Sequence, residues 1–189
     1  MDSEPPGDSD RRADVPFLIR LVATGLFVGY IPWASGTFGS LVGVLVYCIP
    51  GAEVPGVLVA LIIAGLIVGT VAAHQVAIAE GNRLSRTAEL TKGLFQSGSM
   101  HAADPSIVVI DEIVGMWISL LWLPKTILAV ALAFVLFRIL DVLKPEPARM
   151  MERLPYGFGI MLDDVISAIY ANLAAHTILY SITVTTHGI

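Results

Sequence analysis

Two pairs of neighbouring carboxylates stand where charge is costly. Asp111 and Glu112 lie inside the apolar run SIVVIDEIVG, and Asp163 and Asp164 lie near the head of the apolar stretch GFGIMLDDVISA. A carboxylate in or near hydrocarbon is destabilising unless it is paired, hydrated or bound to a cation. Two such pairs, each at the head of an apolar segment, therefore point to a metal site built from Asp111, Glu112, Asp163 and Asp164. The donors are hard oxygens with no cysteine or clustered histidine beside them, a set that favours Mg²⁺ over zinc. Adjacent helical residues point about 100° apart, so the two members of a pair are not expected to aim at one point. One faces the bundle centre, and the other supports a second metal, a basic residue or water. Gly115 follows Asp111 by four and Ala168 follows Asp164 by four, so helices can approach closely on those faces.

Further polar groups have two readings each. Arg138, Asp141 and Lys144 recur every third residue at the end of a helix, with a cation on either side of an acid. That pattern suits an intrahelical salt-bridge ladder with snorkelling ends as well as a phosphate clamp. In PWASGTFGS, Gly36 and Gly39 permit close backbone approach to a phosphate, with Thr37, Ser40 and the following helix N-terminus as donors. The same small residues also suit plain helix packing. Thr24, just upstream, is a substrate-side candidate or a helix residue bonding its own backbone. His101, near Asp104, reads as a proton shuttle or as a solvated surface residue. Cys48 is a lone cysteine in an apolar run and forms no intrachain disulfide.

The elements that must position these groups are membrane segments. With 56% hydrophobic and 14% charged residues and a mean hydropathy of +0.78, the chain has too little polar surface for a soluble domain. Its net charge of −5 and the absence of a basic patch interleaved with aromatics exclude a nucleic-acid partner. Residues 1–15, rich in Asp, Pro and Gly, are expected to form a disordered acidic tail that does not read as a signal peptide. Residues 16–189 are expected to form one all-α domain, a polytopic membrane helical bundle with about four to five spans or partial spans. Its N-terminal helix is broken or re-entrant, with pieces at about Phe17–Tyr30 and Phe38–Ile49. Spans are expected near 54–74, 107–123, 126–142 and 159–183, and helical pieces at 75–84 and 88–94. Gly65 and Gly69 make a GxxxG packing face. With the N-terminus cytoplasmic, ten of the eleven Lys and Arg residues fall on one side, Lys125 being the exception. The carboxylates gather near that same face.

The blocks ASGTFGS, DPSIVVIDEIVGMW, FRILDVLKPEPARMMERL and GFGIMLDDVISA, in this order and spacing, resemble the bacterial phosphatidylglycerophosphatase A family over residues 17–183. The resemblance implies a Mg²⁺-dependent inner-membrane phosphatase that converts phosphatidylglycerophosphate to phosphatidylglycerol and inorganic phosphate. Tyr156-Gly157 replaces a common Gly-Gly, and Ser167-Ala168 replaces the usual Ala-Gly, without loss of a charged motif residue. In this reading Asp104, Asp111, Glu112, Asp141 and Asp164 carry the chemistry, with Asp104 or Asp141 taking a proton from water. Arg138 and Lys144 hold the phosphate, while Thr37, Ser40 and Thr24 contribute from the N-terminal segment. The partners are the phospholipid substrate and the bilayer, and the site faces the cytoplasm. The competing reading is a small transporter with an acidic cation site, in which polar groups would cross the midplane. The orientation has a direct test: cysteines introduced into 83–92 and 144–153 should be labelled from the same side of the membrane.

Overall fold

The computed structural model describes residues 15–31, 34–91, 107–151 and 157–187, and among these it is all-helical. Its organising element is α4 (Ile110–Leu120), with nine of eleven residues buried. Apart from Asp111, Glu112 and Ser119 this helix is apolar or glycine all round, and a helix without a polar face must be enclosed by others. The enclosing helices are α2 (Ser35–Cys48), α3 (Pro55–Thr91), α5 (Ile127–Leu143) and α7 (Gly157–His187). The seven-residue α1 (Phe17–Ala23) packs on α3, and the one-turn α6 (Ala148–Met151) packs on α7.

Small residues set how closely these helices meet. On α2, Gly36, Gly39, Ser40, Gly43 and Tyr47 form one buried stripe. A Cβ on Gly39 would lie 2.9 Å from Val109 Cβ, and one on Gly43 would lie 2.9 Å from Met116 Cβ. Bare glycine backbone thus lets α2 lie against the α4 segment, and Trp117 Nε1 donates to the buried Gly43 carbonyl at 3.1 Å. The GxxxG pair on α3 works alike, with Gly65 against Val114 and Gly69 against Ile110 and Met161. On α5, Ala129, Ala133 and Phe137 are the buried positions, four apart, and the Phe137 ring lies over Gly115 of α4.

The broken N-terminal helix is realised more sharply than expected. The expected piece Phe17–Tyr30 ends as an α-helix at Ala23, because Gly25, Leu26 and Phe27 all take left-handed backbone (φ 52°, 60° and 69°) before a 3-10 turn at Val28–Tyr30. Thr24 fastens this turn. Its hydroxyl donates to Arg20 O (2.8 Å) and accepts from Phe27 N–H (3.1 Å). Val109 N–H donates to Ala23 O at 2.9 Å, tying the turn to the segment that enters α4.

Other boundaries also move. Helix α2 starts at Ser35 instead of Phe38, and the span expected to end near residue 74 continues as one helix to Thr91, absorbing both expected pieces after it. No glycine or proline interrupts residues 70–80, so nothing in the backbone ends the helix where the apolar run ends. The span expected at 107–123 holds only the 11 residues of α4, too few to cross ~30 Å of hydrocarbon at ~1.5 Å each. Among the described residues, two helices are long and apolar enough to cross a membrane, Pro55–Val76 and Phe158–Thr186. At the end of the bundle away from the carboxylates, Lys125 pairs with Glu53 (3.2 Å) and donates to Cys48 O (3.2 Å). The expected acidic tail lies outside the described residues except for Val15.

The contact between α4 and α5 makes a stability prediction. A Cβ at Gly115 would stand 2.5 Å from Phe137 Cζ. Gly115→Val should therefore lower stability by about 1–3 kcal/mol, read as a fall in the thermal midpoint in detergent, and Phe137→Leu in the same chain should recover part of it.

Candidate active site

The starts of α2, α4 and α7 and the end of α5 enclose a cleft of about 390 Å³. Five carboxylates line it, Asp111, Glu112, Asp141, Asp163 and Asp164, against two cations, Arg138 and Lys144. Three stretches distant in sequence thus converge at one end of the bundle. The reason is antiparallel packing, which brings the last turn of α5 beside the first turns of α4 and α7.

Asp111, Glu112 and Asp164 form the tightest group, each offering an oxygen within 4.8 Å of the others. The expectation that Asp111 and Glu112 could not serve one point is corrected here. They occupy the first turn of α4, and the extra methylene of Glu112 lets its carboxylate return toward the shorter Asp111. The two acidic pairs share a local device, in which the first member accepts the backbone N–H of the second. Glu112 N–H donates to Asp111 Oδ1 and Asp164 N–H donates to Asp163 Oδ1, both at 3.0 Å. One oxygen of each leading aspartate is held in this way.

Asp163 is set apart from the triad. Its Oδ2 accepts from Lys144 Nζ at 2.7 Å. Lys144 caps α5 in left-handed backbone (φ 44°) with its own N–H on Leu140 O, and its ammonium reaches across to α7. Arg138 bonds Asp141 Oδ2 at 3.0 Å along α5. The expected ladder is therefore half intrahelical, Arg138 with Asp141, and half interhelical, Lys144 with Asp163. Both cations still border the cleft.

Gly36 makes room for this arrangement. A Cβ there would collide with Glu112 Oε1 and lie 2.8 Å from Arg138 Nη2, so a side chain at this position would push the carboxylate and guanidinium from where they stand. Ser40 is fully buried behind them. Its hydroxyl donates to Gly36 O (2.9 Å) and accepts from Arg138 Nη1 (3.5 Å), so it supports the guanidinium instead of facing the cleft. Thr37 is exposed on the outer side of α2, and Thr24 is spent on its own turn, so neither lines the cleft. Ser35 does line it, a residue that the sequence pattern missed because the helix was expected to begin after it. Ala34, in left-handed backbone (φ 57°), turns the chain so that α2 starts at the cleft. Asp104 and His101 lie outside the described residues.

The charges decide what the cleft can hold. At an effective dielectric of about 20, two unit charges 4.8 Å apart repel by roughly 3 kcal/mol. Three such pairs approach the roughly 5–15 kcal/mol by which a whole domain is stable. The triad therefore needs a compensating cation or protons, and Arg138 and Lys144 are engaged with Asp141 and Asp163. Glu112 Oε2 is buried and has no hydrogen-bond partner among the described residues. A hard divalent cation on Asp111, Glu112 and Asp164 fits the donor chemistry, the excess charge and the orphaned oxygen together.

The chain matches the phosphatidylglycerophosphatase A family over residues 92–179. A phosphatidylglycerophosphatase A from Haemophilus influenzae is 37% identical over 167 residues, covering 86% of this chain and 89% of the relative. Its counterpart from Escherichia coli is 33% identical, covering 79% and 76%. A protein from Bacteroides thetaiotaomicron with the provisional name phosphatidylinositol-3-phosphatase is 32% identical, covering 82% and 89%. No solved structure is significantly similar to the chain.

The geometry distinguishes three clustered carboxylates that could hold a metal ion from a fourth that holds a lysine. In Mn²⁺ titrations followed by electron paramagnetic resonance, Asp111→Asn, Glu112→Gln and Asp164→Asn should each weaken binding beyond the roughly 10- to 100-fold typical of outer-sphere changes. Asp163→Asn should stay within that range.

Proposed function

The chain belongs to the phosphatidylglycerophosphatase A family, and from that premise we propose that it hydrolyses phosphatidylglycerophosphate to phosphatidylglycerol and inorganic phosphate, with Mg²⁺ as cofactor. The observation that carries the reading is the cleft itself, where a buried carboxylate triad adjoins two cations and the first backbone N–H groups of α2. A phosphate monoester is a dianion, and a cleft with three more carboxylates than cations would repel it. Asp111, Glu112 and Asp164 would hold Mg²⁺, which when bound would supply the missing positive charge and Lewis-acid stabilisation of developing negative charge.

The chain's own residues do the rest. Arg138 and Lys144 turn part of their hydrogen bonding from Asp141 and Asp163 to the phosphoryl oxygens. Ser40 keeps Arg138 aligned from behind. The N–H groups at Ser35 and Gly36, which have no intrahelical acceptor, add donors at the positive end of the helix dipole. Among the described carboxylates, Asp141 lines the cleft outside both the triad and the Lys144 pair, and it accepts the proton of the attacking water as the bond from phosphorus to the glycerol oxygen breaks. The proton taken up by Asp141 passes through water to the departing glycerol oxygen, which leaves as a hydroxyl, and Asp141 is restored as a carboxylate.

This reading belongs in phospholipid biosynthesis at the inner membrane of a bacterium, with a multi-pass chain and the cleft at the cytoplasmic headgroup level. The acyl chains stay in the bilayer while the headgroup enters sideways. The gathering of charged residues at one end of the bundle supports an enzyme over a transporter, whose polar groups would run through the middle.

The test is hydrolysis of phosphatidylglycerophosphate in detergent by the purified full chain. Activity should vanish with EDTA and return with Mg²⁺, and phosphatidylinositol 3-phosphate should be the poorer substrate. Arg138→Ala and Lys144→Ala should each lower kcat/KM by roughly a hundredfold while leaving membrane insertion intact. Wild-type kcat and KM in both variants would return the two cations to a purely structural role.

A further inference from the structure

The faces that carry the triad continue along their helices. On α4 the series Asp111, Gly115, Ser119 is spaced by four, and on α7 so is Asp164, Ala168, Asn172, His176. These two series meet: Ser119 Oγ donates to Gly115 O (2.9 Å) and approaches Ala168 O (3.4 Å). Ala168 lies in the middle of the α7 series, while the open side of Gly115 is covered by the Phe137 ring of α5.

The far end is different. Helix α4 stops at Leu120, and the carbonyls of a helix C-terminus lack intrahelical donors, a serious cost in apolar surroundings. The chain's own turn satisfies two of them, Leu121 N–H on Ile118 O and Leu123 N–H on Leu120 O. Asn172 takes others. Its Nδ2 donates to Ser119 O at 3.1 Å and to Leu121 O at 2.9 Å, while His176 Nε2 lies 3.3 Å from Leu121 O. A forked amide on two carbonyls is directional, and a shift of α7 by one residue, ~1.5 Å, would break both bonds. The same shift would carry Asp164 away from Asp111 and Glu112, eight residues or ~12 Å along the contact.

We propose that Asn172 is a positioning residue for the carboxylate triad, fixing the register of α7 on α4 from the opposite end of their interface. The inference rests on the reading of Asp111, Glu112 and Asp164 as a divalent-cation site. Catalytic constellations hold to within about 0.5 Å, and a misplacement of about 1 Å costs on the order of a hundredfold in rate.

The experiment uses the full chain in detergent, with Mn²⁺ binding read by electron paramagnetic resonance beside Mg²⁺-supported hydrolysis. Asn172→Leu keeps similar bulk and removes both donors. It should weaken Mn²⁺ binding about tenfold and lower kcat on the order of a hundredfold, with KM for the lipid within about twofold, and Asn172→Gln should recover part of both losses. If Asn172→Leu does not fold, Asn172→Ser, which keeps one donor on a shorter arm, should show the same losses in smaller measure. A folded Asn172→Leu or Asn172→Ser protein with wild-type Mn²⁺ affinity and kcat overturns the proposal, whatever its thermal midpoint. Mn²⁺ binding that Asp111→Asn abolishes and neither Asn172 variant changes overturns the positioning role alone. A wild-type chain that binds no Mn²⁺ and needs no divalent cation overturns the metal reading and this inference with it.

Discussion

Repulsion among carboxylates that share a poorly hydrated cleft is the constraint on which the rest of this structure depends. Asp111, Glu112 and Asp164 each offer an oxygen within 4.8 Å of the others, and among the described residues two cations border the same cleft. Such an arrangement survives only if neighbouring elements hold it in place against its own electrostatics. The two leading aspartates each accept a backbone N–H, Lys144 draws Asp163 aside, and Arg138 occupies Asp141. What is left over is an oxygen-rich position with negative charge to spare, suited to a hard cation and through it to a phosphate.

Close approach of helices makes that arrangement possible. The site draws on four helices, and each must come near enough for a short side chain to reach its neighbours. Gly36 admits Glu112 and Arg138, Gly39 and Gly43 let α2 lie on α4, and Gly115 receives the Phe137 ring. Glycine weakens a helix in water by about 1 kcal/mol relative to alanine. Here that loss is offset by the close van der Waals contact between helices that the bare backbone allows.

The shortness of α4 has a second consequence. A helix of eleven residues buried among others ends against its neighbours, so some of its terminal carbonyls meet side chains of other helices. Asn172 and, at 3.5 Å, the hydroxyl of Tyr47 on Leu123 O take the place of solvent there, while the opposite terminus presents its two carboxylates to the cleft. One helix is polar at both ends and apolar between, and each end is met by side chains from other helices.

Composition alone determined that the chain is an apolar helical protein, because 56% hydrophobic residues in long runs leave few alternatives. The two acidic pairs were legible as a site for a related reason: charge in an apolar run is costly enough that its position carries information. A break between Tyr30 and Phe38 was legible too, since Pro32, Ser35 and Gly36 interrupt the run there, but the earlier stop of α1 at Ala23 was not. The extent of α3 was not, because hydropathy marks where lipid ends and not where a helix ends. Nor could spacing along one helix reveal that Lys144 turns to Asp163, that Ser40 faces Arg138 instead of the cleft, or that Asn172 caps α4. Those choices belong to the tertiary structure, because a side chain's partner is fixed by the register and crossing of helices far apart in sequence. The same polar groups could satisfy several partners until packing leaves one within reach.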